Sequence, residues 1–350
     1  ADITNIPFQP VVYADDDASE RYEDALIAYG WRKFLEGGAE DEDVEWLARL
    51  PMTRAVVRGM DVVQKVSSSA GKPVERFVTA GASKRGWTTW TTAVTDDRVM
   101  AIIPIVIDLL NVVPSFDHHW RCYGEWSPAI NDYINEGIMD WMGSIEFDRL
   151  MEIVEPYSFI DELELPKFLI NATGDEFFVT DSWRFYWDDL PGEKYVQYIP
   201  NTNHSLKGVD EEYDLMSLTA FYKAVISETD LPRFEWHVSG DSIFAQIDHS
   251  ANPHCRVTQW EAVNAEGRDF RVDIIGRTWT ATSIARAEDG VYSVGITAPE
   301  EGYKAGLLEI VFNPDSDLPF TFTTGTVVAP DTYPFDGFVS EAPKGTTISR

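Results

Sequence analysis

Cysteine is almost absent from this chain. Its 350 residues include two, Cys122 and Cys255, too few for a disulfide-stapled scaffold and without the paired spacing of a metal knuckle. One bridge between them stays open; two unpaired buried thiols are the expectation. Basic residues are scarce as well, with 28 Lys and Arg against 59 Asp and Glu and a net charge of −31. Nucleic acid and anionic membrane surfaces both call for a basic patch, so neither is an expected partner. Such a surface stays soluble at high ionic strength, which suits a saline or extracellular setting. Long apolar runs are missing too. The longest, Val99 to Pro114, is broken by Pro104 and Asp108 and cannot span a bilayer. There is no glycine-rich phosphate loop and no helix-spaced histidine pair. Asp15-Asp16-Asp17 reads as a solvated loop rather than a calcium site. No metal is expected.

What is present is apolar mass: 44% hydrophobic and 13% aromatic residues are enough to bury a sizeable core, and the length suits about two domains. Two textures divide the chain near Leu231-Pro232. Residues 1–231 alternate short apolar strands with helical stretches, the pattern of a parallel sheet wrapped by helices. The expected strands are Gln9 to Tyr13, Glu75 to Ala80, Ala101 to Ile107, Lys167 to Ala172 and Lys194 to Pro200. The expected helices are Glu20 to Glu36, Thr53 to Val66 and Asp210 to Glu228, each with apolar residues at helical spacing. Residues 111–165 interrupt this rhythm with HHWRCYGEW and DYINEGIMDWMGSIEF, an insertion read as a lid over the carboxyl ends of the strands. Residues 232–340 carry alternating runs such as RFEWHV, SIFAQID and GLLEIVF and predict an Ig-like β-sandwich. Residues 341–350 read as a loose tail.

The chemistry centres on GASKRGWTTW. A strand ends in Ala80-Gly81-Ala82-Ser83 and a helix follows. A serine there is either a helix N-cap or a nucleophile on a sharp turn, with the N–H groups of the helix start facing a developing oxyanion. The usual Gly-x-Ser-x-Gly spacing is altered: Arg85 stands where the second glycine belongs, and Gly86 follows it. Two further strand ends supply partners in the chain order of a hydrolase triad. KFLINA runs into Thr173-Gly174-Asp175, and EKYVQYIP runs into Asn201-Thr202-Asn203-His204. Asp175 would orient His204, and His204 would take the Ser83 proton. Singly, Asp175 suits an Asx turn and His204 a surface loop; together and in order they point to the triad. Asp108 is a rival acid. His118 and His119 precede Asp175, lie in the lid, and are read as substrate-facing or core groups. His237, His249 and His254 are read as structural. Asn171-Ala172-Thr173 and Asn203-His204-Ser205 are glycosylation sequons placed in a buried strand and at the proposed base. That favours a source that does not N-glycosylate, such as a bacterium.

GASKRGWTTW, DDRVMAIIPIVIDLLN, HHWRCYGEWSPA, PKFLINATGDEFFVTDSWRFYWDDLPGEKYVQYIPNTNHSL and the late RDFR and TYPF together resemble the PhoPQ-activated pathogenicity-related protein family, from Pro7 to about Phe335. The resemblance implies an α/β-hydrolase-like fold, a secreted or periplasmic bacterial setting and no cofactor. It matches Ser83, Asp175 and His204 to the family's triad and supports Trp120, Tyr123 and Trp126 as part of an ordered lid. It leaves the substrate open. Family members carry on the order of a hundred residues more upstream, which supply the first strands of the hydrolase sheet and the loop that donates the second oxyanion N–H. Their loss would leave unpaired backbone inside the sheet, so the expectation is a truncated or cleaved product whose sheet is completed by another chain, such as an N-terminal fragment, or else a rearranged sheet. Of the oxyanion hole the N–H of Lys84 would remain, with Arg85 reaching over the site in compensation.

The resulting expectation is a serine hydrolase of an ester or amide bond in a small-molecule or peptide substrate. His118, His119, Trp120, Tyr123, Trp126 and Trp183, with Trp187, would wall the substrate site. The alternative is a secreted or envelope signalling protein that uses the same scaffold for binding.

Overall fold

The computed structural model describes residues 1–15, 19–207 and 216–348. Two long helices come first, α1 (Glu23–Gly37) and α2 (Arg49–Ser69). α1 buries Leu26, Ile27, Trp31 and Phe34, the residues that share one helical face. It stops at Gly38, whose φ of 101° supplies the left-handed turn that returns the chain. Four parallel strands follow: β1 (Phe77–Ala82), β2 (Val99–Ile105), β3 (Lys167–Ala172) and β4 (Lys194–Ile199). Helix α3 (Lys84–Thr95) joins β1 to β2. The insertion before β3 is helical, with α4 (Val112–Tyr123), α5 (Asn131–Asn135) and α6 (Ile145–Val154). Every residue of β3 is buried, which is why its sequence is a nearly unbroken apolar run. Asn171 lies within it, so its sequon has no room for a glycan. After β4 comes α7 (Met216–Ile226); the part of the expected helix before Met216 falls outside the described residues, as do Asp16 and Asp17.

Gln9 to Tyr13 is not a strand of this sheet. Val11 makes a single bridge to Arg21, Val12 is exposed, and Pro10 can donate nothing to a ladder. β1 therefore ends the sheet, pairing with β2 alone among the described residues. Among the described residues no gap is left inside the sheet by the missing strands.

The C-terminal half supplies β5 (Phe234–Ser239), β6 (Ser242–Ile247), β7 (Cys255–Asn264), β8 (Thr280–Ile284), β9 (Val291–Gly295), β10 (Tyr303–Phe312), β11 (Phe320–Thr323) and β12 (Val327–Ala329). They do not form a self-contained sandwich. β11 pairs antiparallel with β4 at Thr323 and Val196, and the Thr323 hydroxyl accepts the Tyr198 N–H at 2.9 Å. The sheet thus continues as β1-β2-β3-β4-β11-β10-β7-β8, with β12 beside β10, while β5-β6-β9 forms a second, three-stranded sheet. Ile243, Ala245 and Ile247 of β6 share one core with Ile310 of β10, Phe322 of β11 and Phe168 of β3. The boundary at Leu231-Pro232 separates two sequence textures but neither the sheet nor its core.

The polar C-terminal segment is fastened rather than loose. Phe338 packs on Trp120 and Trp126 with ring centroids 4.9 Å from each. Ser340 donates to Asp140 at 2.6 Å, and Glu146 accepts both the N–H and the hydroxyl of Thr346 at 2.8 Å. The segment straps the inserted helices down. No helix among the described residues is long and apolar enough to cross a membrane.

Candidate active site

β1, β3 and β4 run parallel, so the residues that leave their carboxyl ends gather at one rim of the sheet. Ser83 leaves β1 with φ 55° and ψ −124°, a conformation costly for any residue with a side chain. Two glycines make the turn possible. A Cβ on Gly81 would lie 2.5 Å from the Arg85 carbonyl oxygen, and one on Gly86 would lie 2.7 Å from Ile107 Cγ2 and 2.9 Å from the Gly81 oxygen. This explains the altered spacing of the motif: the second glycine stands where α3 crosses closest to β2 and the turn before it. The first-turn N–H groups of α3 have no acceptor within the helix.

Asp175 follows Gly174, whose N–H donates to the Thr202 carbonyl at 3.0 Å and so draws the two loops together. The buried Asp175 carboxylate faces His204 Nδ1, with its oxygens 2.9 and 3.0 Å away, and also accepts the Phe177 N–H at 2.8 Å. A carboxylate can only accept, so Nδ1 carries the proton and Nε2 keeps its lone pair. Glu176 fixes the backbone by accepting the His204 N–H at 2.9 Å. Burial pushes the imidazole pKa down, but the Asp175 carboxylate and then Glu176 outweigh it and hold the ring above its ordinary value. Phe177 and Phe178 lie against the ring, with centroids 4.3 and 5.8 Å away.

Ser83 and these two phenylalanines line one cavity of about 40 Å³, closed by Trp31, Trp87 and Phe116. At ~10–15 Å³ per water that space holds about three waters. Ser83 and His204 are not joined by a hydrogen bond among the described residues; Phe177 and Phe178, which line this cavity with Ser83, also pack on the His204 ring.

Other expected site residues lie elsewhere. The Arg85 guanidinium does not reach over Ser83. It grips both oxygens of Glu23 at the start of α1, at 2.5 and 2.8 Å, because a planar fork matches a carboxylate. Lys84 Nζ joins it, 2.9 Å from both Glu23 and Asp24. This pairing holds the Glu23 carboxyl down to about 2. Asp108 is not the triad acid. It is buried under the hydroxyls of Tyr186 and Tyr198, and burial, resisted by those hydroxyls, pushes it up to about 7. His118 and His119 are core groups. His119 Nε2 accepts the Ser127 N–H at 3.0 Å and burial pushes it down to about 3. His118 lies between Asp181 and the Tyr333 hydroxyl, 2.8 Å from each. Trp120, Tyr123 and Trp126 form an aromatic cluster around His119, one layer behind Phe116. Trp183 donates to the Thr326 carbonyl at 2.8 Å and, like Trp187, packs on Trp236. Among the walls of the Ser83 cavity that sequence reading missed are Trp31, Trp87, Phe116, Phe177 and Phe178. Phe177 and Phe178 directly follow Asp175-Glu176, a signal that was available; Trp31 and Trp87 look like ordinary helix-face residues. Both cysteines are free.

A family model described as PhoPQ-activated pathogenicity-related protein matches residues 1–271. Autocrine proliferation repressor protein A of Dictyostelium discoideum is 38% identical over 357 residues, covering 95% of this chain and 71% of that protein. Among solved structures, an acylaminoacyl peptidase of Pyrococcus horikoshii is 18% identical over 45% of this chain and 24% of its own, with a TM-score of 0.35. An acetyl xylan esterase from Paenibacillus sp. R4 is 13% identical over 50% of this chain and 53% of its own, with a TM-score of 0.36. The chain thus spans about a quarter of the peptidase and half of the esterase. With the family model matching more than half its length, the chain belongs to the PhoPQ-activated pathogenicity-related protein family.

Proposed function

We propose that the protein is a serine hydrolase of ester or amide bonds, with Ser83 as nucleophile, His204 as base and Asp175 as its orienter. One observation carries the reading: a non-glycine residue is held at φ 55° on a strand-to-helix turn, at the rim where an Asp–His pair leaves two neighbouring parallel strands. Backbone strain of this kind needs surrounding structure to maintain it and clusters at functional sites. In the reaction, His204 Nε2 takes the hydroxyl proton as Ser83 Oγ bonds to the carbonyl carbon. The oxyanion forms against the first N–H groups of α3, Lys84 foremost. The imidazolium then protonates the leaving alcohol or amine, and a water activated by the same imidazole releases the acid. The substrate is a small molecule or peptide in a secreted or periplasmic setting.

The small cavity beside Ser83 favours a second reading, in which the scaffold binds a partner and turns nothing over. An active-site-directed fluorophosphonate separates the two. Mass spectrometry of the intact protein should show one adduct in the native chain and none in Ser83→Ala. A folded protein that takes up no label would support the binding role.

A further inference from the structure

A second cavity lies between α2 and α3, with Arg49 in its wall. It measures about 420 Å³ and is lined by Leu50, Val57, Val94, Ile153 and Phe159 among others, within the ~300–1,000 Å³ of small-molecule sites. Its lining includes Arg49, Arg54 and Arg58 and no acidic residue, although the whole chain carries a net charge of −31. An apolar groove with cations alone is thus set into a strongly acidic molecule.

Arg49 is the informative member. It is 4% exposed, and a buried charge ordinarily has an ionic partner because desolvation is costly. Arg49 has none among the described residues. One terminal nitrogen donates to the Lys84 carbonyl at 3.0 Å, and the guanidinium carbon lies 4.2 Å from the centre of the Trp87 ring. Its Nε has no acceptor among the described residues. Burial lowers its hold on the proton, and the nearby Tyr133 and Asp24 only partly offset this. At the rim, Arg58 is engaged by Asp61 at 2.8 Å, whereas Arg54 is exposed and makes no ion pair or hydrogen bond among the described residues. Arg49 lines both this groove and the Ser83 cavity, and a buried cation without an ion pair beside an apolar groove matches one kind of molecule: a monoanion with an apolar chain.

We propose that this groove binds an amphipathic carboxylate, its head on Arg49 and Arg54 and its chain along Val57, Val94, Ile153 and Phe159. The inference does not depend on the reading of Ser83. Because Arg49 also holds the carbonyl of Lys84, the occupant would be seated one residue from the Ser83 turn.

Isothermal titration of the full chain with decanoate, decanol and decyl phosphate tests it. Decanoate should bind at one site per chain, and decanol at least about tenfold more weakly, since a charged hydrogen bond is worth ~1.5–3 kcal/mol. Val94→Trp should fill the groove and abolish binding, and Arg54→Gln should weaken it about tenfold. Arg54 is exposed, so its variant keeps the test decisive where Arg49→Gln fails to fold. No decanoate binding, equal binding of decanol, tighter binding of decyl phosphate, or an undiminished affinity in Val94→Trp would each overturn the assignment.

Discussion

Two Asp–His pairs sit among the described residues, and the contrast between them separates the proposed machinery from scaffolding. His204 faces Asp175 at 2.9 Å and His118 faces Asp181 at 2.8 Å; as pairs they are alike. Their surroundings differ. Both ring nitrogens of His118 are occupied, by Asp181 and Tyr333, and Asp181 is shared with the buried Arg268 at 2.7 Å and with Arg184 at 3.3 Å. That pair is a strut joining α4, the segment after β3 and the C-terminal strap, and nothing in it is free to move a proton outward. Burial pushes His118 down despite its carboxylate. His204 has one nitrogen committed and one uncommitted among the described residues, and Asp175 makes no ion pair with Arg or Lys there. A histidine works as a base when its orienter is unopposed and its second nitrogen is open.

The largest way to break the comparison is to exchange amide for acid in each pair. Asp175→Asn should lower ester turnover by about four orders of magnitude with little loss of stability, because the wrong tautomer would then face Ser83. Asp181→Asn should do the reverse. It strands Arg268 with a buried charge, so unfolding stability should fall by about 3–5 kcal/mol, read from urea midpoints, while per-molecule turnover of the folded fraction stays intact. Equal effects on turnover would dissolve the distinction.

A smaller change sharpens the role of the turn. Gly86→Ala would ordinarily strengthen a helix by ~1 kcal/mol. Here its methyl meets Ile107 and the Gly81 carbonyl, so a net loss of about 1–3 kcal/mol is expected, together with slower labelling of Ser83.

Acid titration should pull the two histidine environments apart. The rings of His118 and His119 are depressed, so below the ordinary value of ~6.5 the unfolded chain binds protons that the fold refuses. Stability should then drop as pH falls, for His119 down to about 3. His204 is raised, so its contribution has the opposite sign: it is fully present below ~6.5 and lost as pH rises through the folded value. Turnover should fall on the acid side with a midpoint above ~6.5, as the base becomes protonated. Urea midpoints between about pH 7.5 and about pH 5, and a pH–rate profile, check the two signs separately. The smallest effect belongs to Arg85→Ala. Its half-exposed link to Glu23 is worth at most about 1 kcal/mol, and turnover should be unchanged; a large loss would return Arg85 to the oxyanion role it was expected to play.

Sequence reading recovers what local physics decides. Lys167 to Ala172 emerges with its true ends, since the doubly buried strand is built on the apolar run Phe168 to Ile170 and Pro166 and Gly174 bracket it. Asp175 and His204 follow from strand ends and chain order. Partner choice is what it misses. Alternation marks β6, β10 and β11 as strands but says nothing of β11 pairing with β4, a contact 127 residues apart in register. The polar residues from Gly337 onward show no pattern, because what fastens them is a set of distant acceptors, Asp117, Asp140 and Glu146. Nearness to Ser83 points to Arg85 as a site residue, yet a carboxylate 62 residues earlier holds it.

The rate at which a fluorophosphonate modifies Ser83 in His204→Gln and in His118→Gln, against the native chain, tests the central contrast most directly. The account predicts a fall of about a thousandfold or more for His204→Gln and a rate near native for folded His118→Gln. Labelling of Ser83 at the native rate without His204 would contradict it.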